Sequence, residues 1–282
     1  MLTFSSIETL KKTLTSAKQK GQTIGFVPTM GALHEGHLSL IKTAKTQNDL
    51  VICSIFVNPT QFNNPEDLAK YPRTLEADSQ LLQSVACDVL FAPSASEMYP
   101  SLPRLNINFG SLETVMEGAF RPGHFNGVGI VVAKLFNIVA ADDVYFGQKD
   151  FQQCMVIRQL IADLSIQTTM HICPTLREAD GLAMSSRNRN LTPAHRAKAP
   201  IIYQTLLLAQ KMLETTGIEA VKSFVSQQFE DINGVQLEYF EIANAQTLAP
   251  ILEKTDDEIA LCIAVFFGKV RLIDNLSALV ES

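Results

Sequence analysis

The most constraining feature of this chain is the alternation of short apolar segments with amphipathic ones in its first half. Apolar residues occupy both odd and even positions of TIGFVP (23–28), LVICSIFVNP (50–59) and CDVLFAP (87–93). A strand with one solvated face alternates apolar and polar residues, so this pattern is typical of parallel strands that helices cover on both faces. We expect Pro28 to end the first of these strands. The segments between the three apolar ones, LSLIKTAK and TLEADSQLLQSVA, have helical spacing. The order strand, helix, strand, helix, strand therefore predicts an α/β fold with a doubly wound parallel sheet.

The alternation continues to about residue 174, and the character of the sequence then changes. Helix and strand patterns follow one another over 127–141, 143–147, 151–164 and 166–174. After a polar loop come helices near 194–214 and 218–230 and two apolar strands, LEYFEIA and IALCIAVFF. We therefore expect a Rossmann-like, ligand-binding domain over residues 1–175 and a smaller α+β C-terminal domain over residues 176–282.

Composition and charge argue against membrane and nucleic-acid partners. No apolar stretch approaches the ~18 to 20 residues that cross a bilayer. Residues 1–20 predict a polar helix, with Ile7, Leu10, Leu14 and Ala17 at helical spacing, in place of a secretory signal. The net charge is −6 without a long Lys/Arg run, and the five cysteines are scattered without a CxxC pair. We expect a cytoplasmic protein with buried, reduced thiols that binds anions through local groups.

The segment PTMGALHEGH (28–37) joins a predicted strand to a predicted helix, where the first helical turn presents unpaired N–H groups. Gly31 and Gly36 allow a ligand close to the backbone, and His34 and His37 project to one side if the turn is helical. Three interpretations of the histidines are open: zinc ligands, structural caps, or donors to nucleotide phosphates. The junction of strand and helix fits the third best.

A second polar loop, GLAMSSRN (181–188), carries two hydroxyls and a permanent cation. Ser185, Ser186 and Arg187 have the groups needed to close over phosphates. Taken alone, the same loop is equally well interpreted as a solvated linker with a helix cap.

Two charged residues, Lys149 and Asp150, follow the predicted strand DVYFG. They therefore lie at the carboxyl edge of the sheet, where open α/β sheets bind ligands. Asp150 is alternatively a simple helix N-cap.

The His-Glu-Gly-His segment matches the HxGH form of the HIGH nucleotidyltransferase motif, and the Met-Ser-Ser-Arg loop resembles its KMSKS-like companion. More narrowly, PTMGALHEGH, FVNPTQF, YPRT, RPGHFNGV, FGQKDFQQ and READGLAMSSRNRNL occur in collinear order between residues 20 and 195. Together they resemble the pantoate–β-alanine ligase family. The last ninety residues match that family only in general character.

The resemblance implies an ATP-dependent amide synthesis in two steps. Pantoate attacks the α-phosphate of ATP to give pantoyl adenylate and pyrophosphate, and β-alanine then displaces AMP. The activation is chemically necessary, because a carboxylate does not accept an amine at neutral pH without a better leaving group. The resemblance also implies Mg²⁺ carried with ATP, a lid-like C-terminal domain and a homodimer.

The family motifs also assign residues. Catalysis would fall to His37, His34, Lys149 and Arg187. Pantoate and β-alanine would be held by Gln61 and Gln153, with Asn58, Tyr71, Arg121 and His124 as second-rank candidates. The ATP site would comprise Met30, Gly31, His34, His37, Gly147, Lys149, Asp150, Leu176, Met184, Ser185, Ser186 and Arg187.

One departure from the family pattern is Gln148, which replaces a common Glu beside Lys149. We expect that Glu to serve structure, so that the amide substitutes at small cost. Two alternative functions stay open: a nucleotidyltransferase that adenylylates a cofactor precursor, and a non-catalytic nucleotide-binding protein that keeps the fold.

Overall fold

The computed structural model describes residues 1–62, 65–253 and 255–279. Its larger sheet is parallel throughout, in the spatial order β1-β4-β3-β2-β5-β6. The strands are Leu2–Phe4 (β1), Ile24–Thr29 (β2), Leu50–Ile55 (β3), Val89–Phe91 (β4), Asp143–Gly147 (β5) and Thr169–Cys173 (β6). From β2 the chain builds outward to β3 and β4, and then returns to place β5 on the other side of β2. The sheet is therefore doubly wound as predicted, with its topological switch point between β2 and β5.

Helices cover both faces of this sheet. One face carries α1, α7 and α8, whose apolar side chains pack with Phe26 of β2, whereas α2 and α4 pack on the other face with Val27. Successive residues of one strand thus enter different cores, which explains the continuous apolar runs. The helices in this part are Ile7–Gln19 (α1), Glu35–Gln47 (α2), Pro65–Lys70 (α3), Leu75–Ser84 (α4), Ala95–Met98 (α5), Met116–Phe120 (α6), His124–Val139 (α7) and Phe151–Asp163 (α8).

The C-terminal part is built on an antiparallel sheet in the order β7-β8-β9. Its hydrophobic core joins β8 residues such as Ile263 to Leu206 and Val225 on the two longer helices. The elements are Pro193–Lys198 (α9), Ile201–Leu213 (α10), Ile218–Glu230 (α11), Val235–Asn244 (β7), Glu258–Phe267 (β8) and Val270–Leu279 (β9). The two sheets lie on opposite sides of residue 175 in sequence, and the domain boundary itself stays a prediction.

Three sequence predictions of secondary structure were wrong in detail. Residues 1–20 are not a single helix, because β1 precedes α1 and pairs with β4; three residues are too few to reveal a period. Pro28 does not end β2, which continues to Thr29 beside β3. On its other side β5 pairs only with Gly25 and Phe26, so no β5 hydrogen bond is lost because proline lacks an N–H. The C-terminal sheet also contains β9, a third strand whose mixed polar sequence hid it.

The expectation of buried free thiols was confirmed. All five cysteines are free and buried. No helix in the described ranges has the length and apolar character needed to span a membrane.

Candidate active site

The predicted nucleotide-binding residues lie at the switch point of the sheet. The HxGH segment leaves the carboxyl end of β2 and enters α2, and Lys149 follows the carboxyl end of the neighbouring β5. Parallel strands bring their carboxyl ends to one edge, so the two segments meet although more than a hundred residues separate them in sequence. This is the position where open α/β sheets bind ligands.

The two histidines form the start of α2 together. His34 is the N-cap, and its Nδ1 accepts a hydrogen bond of 3.1 Å from the N–H of Gly36. The Nδ1 of His37 accepts a 3.3 Å hydrogen bond from the N–H of His34. The arrangement is a capping box in which an imidazole takes the usual place of Glu or Gln. The capping interpretation is therefore correct for the Nδ1 atoms, and it leaves the other ring nitrogen for a ligand.

These hydrogen bonds set the tautomer of both rings. Each Nδ1 accepts a hydrogen bond, so a neutral ring carries its own proton on Nε2. Burial lowers the pKa of His34 to about 4, helped by Lys149 and Arg189, and lowers the pKa of His37 to about 3, helped by His34. Both imidazoles are therefore neutral near pH 7 and present Nε2–H as a hydrogen-bond donor. The ring centroids are 4.1 Å apart, so the two imidazoles are in contact.

Most backbone N–H groups of the histidine loop already have partners inside the protein. Ala32 and Leu33 donate their N–H groups to the carboxylate of Asp78, at 3.0 and 2.8 Å. The remaining N–H donors with partners inside the loop are those of Gly31, His34, Gly36 and His37. Most N–H groups of this loop are thus paired inside the protein, three of them with side chains of the loop, whereas the N–H of Glu35 in the first turn has no partner within the described residues. The helix start therefore offers less free backbone to a phosphate than the sequence predicts, and the imidazole side chains stand beside it as further donors.

The charged residues after β5 form the centre of the site's electrostatics. Lys149 Nζ donates to Asp150 Oδ1 at 3.1 Å. Asp150 occupies the N-cap position of α8, as the alternative has it, but its side chain makes no capping hydrogen bond there. Burial opposes ionisation of Asp150, but Lys149, Arg187 and His37 together lower its pKa below the ordinary value.

For five other side chains, burial is the largest cause of the pKa shift. The negative charge of Asp150 is a smaller cause, and it raises the pKa of each. They are His34, His37, Tyr71, Arg121 and His124. Burial raises the pKa of Tyr71 to about 12, so its phenol stays protonated. Candidates from three other motifs therefore lie within the electrostatic influence of Asp150.

The second loop reaches the histidine loop. A Cβ atom built on Gly36 would lie 3.7 Å from Cβ of Met184, so the histidine loop and the second loop are within van der Waals contact of each other. The Met184 N–H donates to the carbonyl of Leu176, and Ser185 Oγ accepts from the N–H of Arg187 to cap the short 3₁₀ helix Ser186–Asn190. The helix-cap alternative is thus correct for Ser185, while the Arg187 side chain remains exposed.

The predicted pantoate amide Gln61 lies in a buried polar network. Its Oε1 accepts from Asn58 Nδ2 at 3.1 Å, its Nε2 lies 3.1 Å from Met30 Sδ, and its backbone carbonyl lies 3.0 Å from His124 Nδ1. Asn58 is 1% exposed and is bonded to Tyr99, Thr60 and the carbonyl of Gly127 as well. Asn58 and His124 consequently position Gln61.

The two adjacent glutamines at the end of GQKDFQQ have different environments. Gln152 is buried and holds the segment before Arg121: its Oε1 accepts from the N–H of Glu117, and its Nε2 donates to the carbonyls of Leu112 and Val115. Gln153 has no side-chain hydrogen bond within the ranges that the structure describes. Its amide is the one of the pair available to a ligand.

Sequence reasoning missed several residues that hold the site in place. Asn275 donates to the carbonyls of Gln148 and Lys149, at 2.9 Å each, and Gln148 donates to Ser277 at 3.2 Å. These contacts join the β5 loop to β9 of the C-terminal part. No local signal could reveal them, because more than 120 residues separate the partners.

A second link between the parts is an ion-pair network. Glu117 accepts from both terminal nitrogens of Arg271, at 2.8 and 2.6 Å, and from Tyr239 at 2.9 Å. Arg271 also pairs with Glu238, and Arg121 lies 3.9 Å from Glu117. The segment that carries Arg121 is thereby fixed to the C-terminal sheet.

The doubly wound sheet and its paired loops define a nucleotide-binding α/β enzyme of the HIGH-motif class. A model of the family described as Pantoate-beta-alanine ligase matches residues 2–277. The chain belongs to the pantoate–β-alanine ligase family.

Curated relatives agree. The chain is 47% identical over 283 aligned positions to pantothenate synthetase of Cytophaga hutchinsonii, covering 98% of this chain and 99% of that protein. It is 46% identical to the Bacteroides thetaiotaomicron pantothenate synthetase, with 98% of each chain covered.

Solved structures agree in fold as well. Pantothenate synthetase from Thermus thermophilus superimposes with a TM-score of 0.91 at 40% identity, over 98% of this chain and 99% of that one. The pantoate–β-alanine ligase of Francisella tularensis, solved in complex with beta-gamma ATP and beta-alanine, gives a TM-score of 0.82 at 41% identity, over 100% and 98% of the two chains.

Proposed function

We propose that this chain condenses pantoate with β-alanine at the expense of ATP, through a pantoyl adenylate. It is an amide-forming ligase. The observation that carries the proposal is the convergence of two neutral imidazole donors and two cations beside uncharged amides, in a chain of this family. In the first step, a pantoate carboxylate oxygen bonds to the α-phosphorus of ATP. The bond from that phosphorus to the oxygen bridging to the β-phosphate breaks. In the second, the β-alanine amine attacks the acyl carbon and AMP leaves.

His34 and His37 contribute their Nε2–H donors to ATP phosphate oxygens. Their low pKa values favour a hydrogen bond over transfer of a full proton, which stabilises charge on the departing pyrophosphate. Lys149 and Arg187 supply positive charge from opposite sides, one after β5 and the other from the second loop. Asp150 keeps Lys149 oriented through their 3.1 Å contact.

We assign the other ATP contacts to residues that neighbour these groups in the chain. Met30 and Gly31 follow the carboxyl end of β2, and Leu176 lies just before the second loop. The remaining residues of this proposed ATP site are Gly147, Met184, Ser185 and Ser186.

Pantoate lies against Gln61 and Gln153 in this proposal. Amides offer both donors and acceptors, and they add no charge that would compete with the reacting carboxylate. Arg121 faces the same region, and Tyr71 stays a neutral hydroxyl donor. Asn58 acts through Gln61, because its own amide is fully bonded inside the protein.

Mg²⁺ enters with the triphosphate. Across residues 1–62, 65–253 and 255–279, no three His, Cys, Asp or Glu side chains converge as a metal site, and Asp150 is already paired with Lys149. The C-terminal part acts as a lid over the phosphates through Met184 to Arg187, which shields the adenylate from water. We further propose a homodimer, which light scattering of the purified chain tests.

The deciding experiment is an AMP- and pyrophosphate-release assay in which pantoate and β-alanine are omitted in turn. We expect pyrophosphate with ATP and pantoate alone, and AMP only when β-alanine is added. A stable adenylylated product that β-alanine does not consume would favour a cofactor adenylyltransferase. ATP binding without release of either product would favour a non-catalytic protein.

A further inference from the structure

Asp78 is a buried carboxylate beneath the histidine loop. It lies on α4, is 1% exposed, and accepts from the N–H groups of Ala32 and Leu33 and from Thr74 Oγ1, at 3.0, 2.8 and 3.1 Å. No ion pair to Asp78 occurs within the described part of the chain. Its charge is therefore stabilised by these neutral donors, an arrangement that is costly to bury unless every donor is in place.

The backbone that Asp78 holds has an unusual conformation. Gly31 and Ala32 are successive residues with positive φ, 85° and 50°. An alanine disfavours the left-handed region, so this turn needs external support. The support is local: a Cβ built on Gly31 would lie 3.1 Å from Asp78 Oδ2, and Ala32 donates to the same oxygen.

The turn determines where the imidazoles lie. Leu33 immediately precedes His34, the N-cap of α2, and the capping bonds to Gly36 and His37 start from that residue. A shift of the Ala32–Leu33 peptide would move the N-cap and both Nε2–H donors with it. Small displacements of such donors are expensive in catalysis.

We propose that Asp78 is a positioning residue for ATP: its two carboxylate oxygens hold the left-handed turn that aims His34 and His37 at the phosphates. The proposal rests on the function proposed above. It requires a carboxylate because both oxygens accept. Asn would keep the shape, but its NH₂ group would face one of the two backbone N–H groups and leave that donor unpaired.

The test compares Asp78→Asn with Asp142→Asn, a control at a more exposed carboxylate. Asp142 also accepts a backbone N–H, that of Ile24 at 2.8 Å, but at the amino end of β2, away from the site. In Asp78→Asn we expect hydrogen exchange of the Ala32 and Leu33 amides to accelerate about tenfold or more, and the Kd for ATP measured by calorimetry to rise about tenfold. The Kd for ATP should stay within about twofold of wild type in Asp142→Asn.

If Asp78→Asn does not fold, Thr74→Val serves in its place, since it removes one donor to Oδ2, and Thr74→Ser should restore normal exchange and ATP affinity. Unchanged exchange at Ala32 and Leu33 would overturn the proposal. So would equal losses of ATP affinity in Asp78→Asn and Asp142→Asn, which would indicate general destabilisation. Exchange and ATP binding need no turnover, so failure of the ligase assay remains a separate result.

Discussion

Replacing His37 by Gln should separate its catalytic contribution from its structural one. His37 stands at N3 of α2, and its Nδ1 caps the N–H of His34. Gln is a normal N3 residue in capping boxes, so His37→Gln retains the acceptor. It removes the Nε2–H donor from its place, whereas His37→Ala removes donor and acceptor together.

The two functions of the ring have different magnitudes. Loss of the cap costs about 1 kcal/mol of folding free energy. Loss of one positioned donor to a developing charge costs about 3 to 4 kcal/mol of transition-state stabilisation, or about 10² to 10³ in rate. We therefore expect both His37 variants to lose at least ~10² in adenylate formation, and His37→Ala alone to lose about 1 kcal/mol of stability.

Single-turnover release of pyrophosphate from ATP and pantoate, without β-alanine, isolates the step in question. Urea unfolding of the same proteins gives their stabilities. His34→Asn makes the corresponding change at the neighbouring ring: Asn is a favoured N-cap residue, so the cap is kept while the imidazole is removed. Adenylate formation within about fivefold of wild type in His37→Gln would refute the assigned role, as would activity losses that simply follow the stabilities.

Three further perturbations test other parts of the structure. Gln153→Ala should raise the pantoate KM without loss of stability, and an unchanged pantoate KM would remove Gln153 from the site. Gln152→Ala should instead lower the free energy of unfolding in urea by about 2 kcal/mol, because three backbone groups lose their partner. Arg271→Met should cost about 3 kcal/mol in the same assay, since it leaves the largely buried Glu117 without its main partner, and a loss below about 1 kcal/mol would contradict a linking role. Burial lowers the pKa of His124 to about 4, so the unfolded chain binds more protons below about pH 6.5 and stability falls as pH drops toward 4. From about pH 8 to about pH 5 that residue should account for about 2 kcal/mol, a loss absent from His124→Asn, and equal pH dependence in both proteins would contradict it.

The parallel sheet could be predicted because its pattern is local. Each buried strand carries apolar residues for two cores, as Phe26 and Val27 illustrate on β2, and this leaves a direct trace in the sequence. β1 and β9 left no such trace. The first has three residues, and the second mixes charged and apolar ones because its polar side chains bond to other segments: Arg271 to Glu117, Asp274 to Arg177 and Asn275 to the β5 loop.

The chemistry-bearing residues could be found, whereas their supports could not. His34, His37, Lys149 and Arg187 stand in loops with recognisable motifs, and the structure brings their motifs to one edge. Asp78 lies in an ordinary helical segment, TLEADSQ, where an acidic residue predicts only a solvated face. Its hydrogen bonds to Ala32 and Leu33 span 46 and 45 residues, and those of Arg271 to Glu117 span 154.

The structure changes the physical account of why two histidines stand at this helix start. A helix N-terminus ordinarily attracts phosphate through its own N–H groups, but here Asp78 holds the loop before α2 and His34 takes the Gly36 N–H of the first turn. Each Nδ1 that accepts a backbone hydrogen bond places the single proton of the neutral ring on Nε2, so capping the helix also sets the tautomer. The charge-neutral donors that face the phosphates are therefore a consequence of the cap. A residue that capped equally well without a second nitrogen, such as Asp, would preserve α2 and lose the donor.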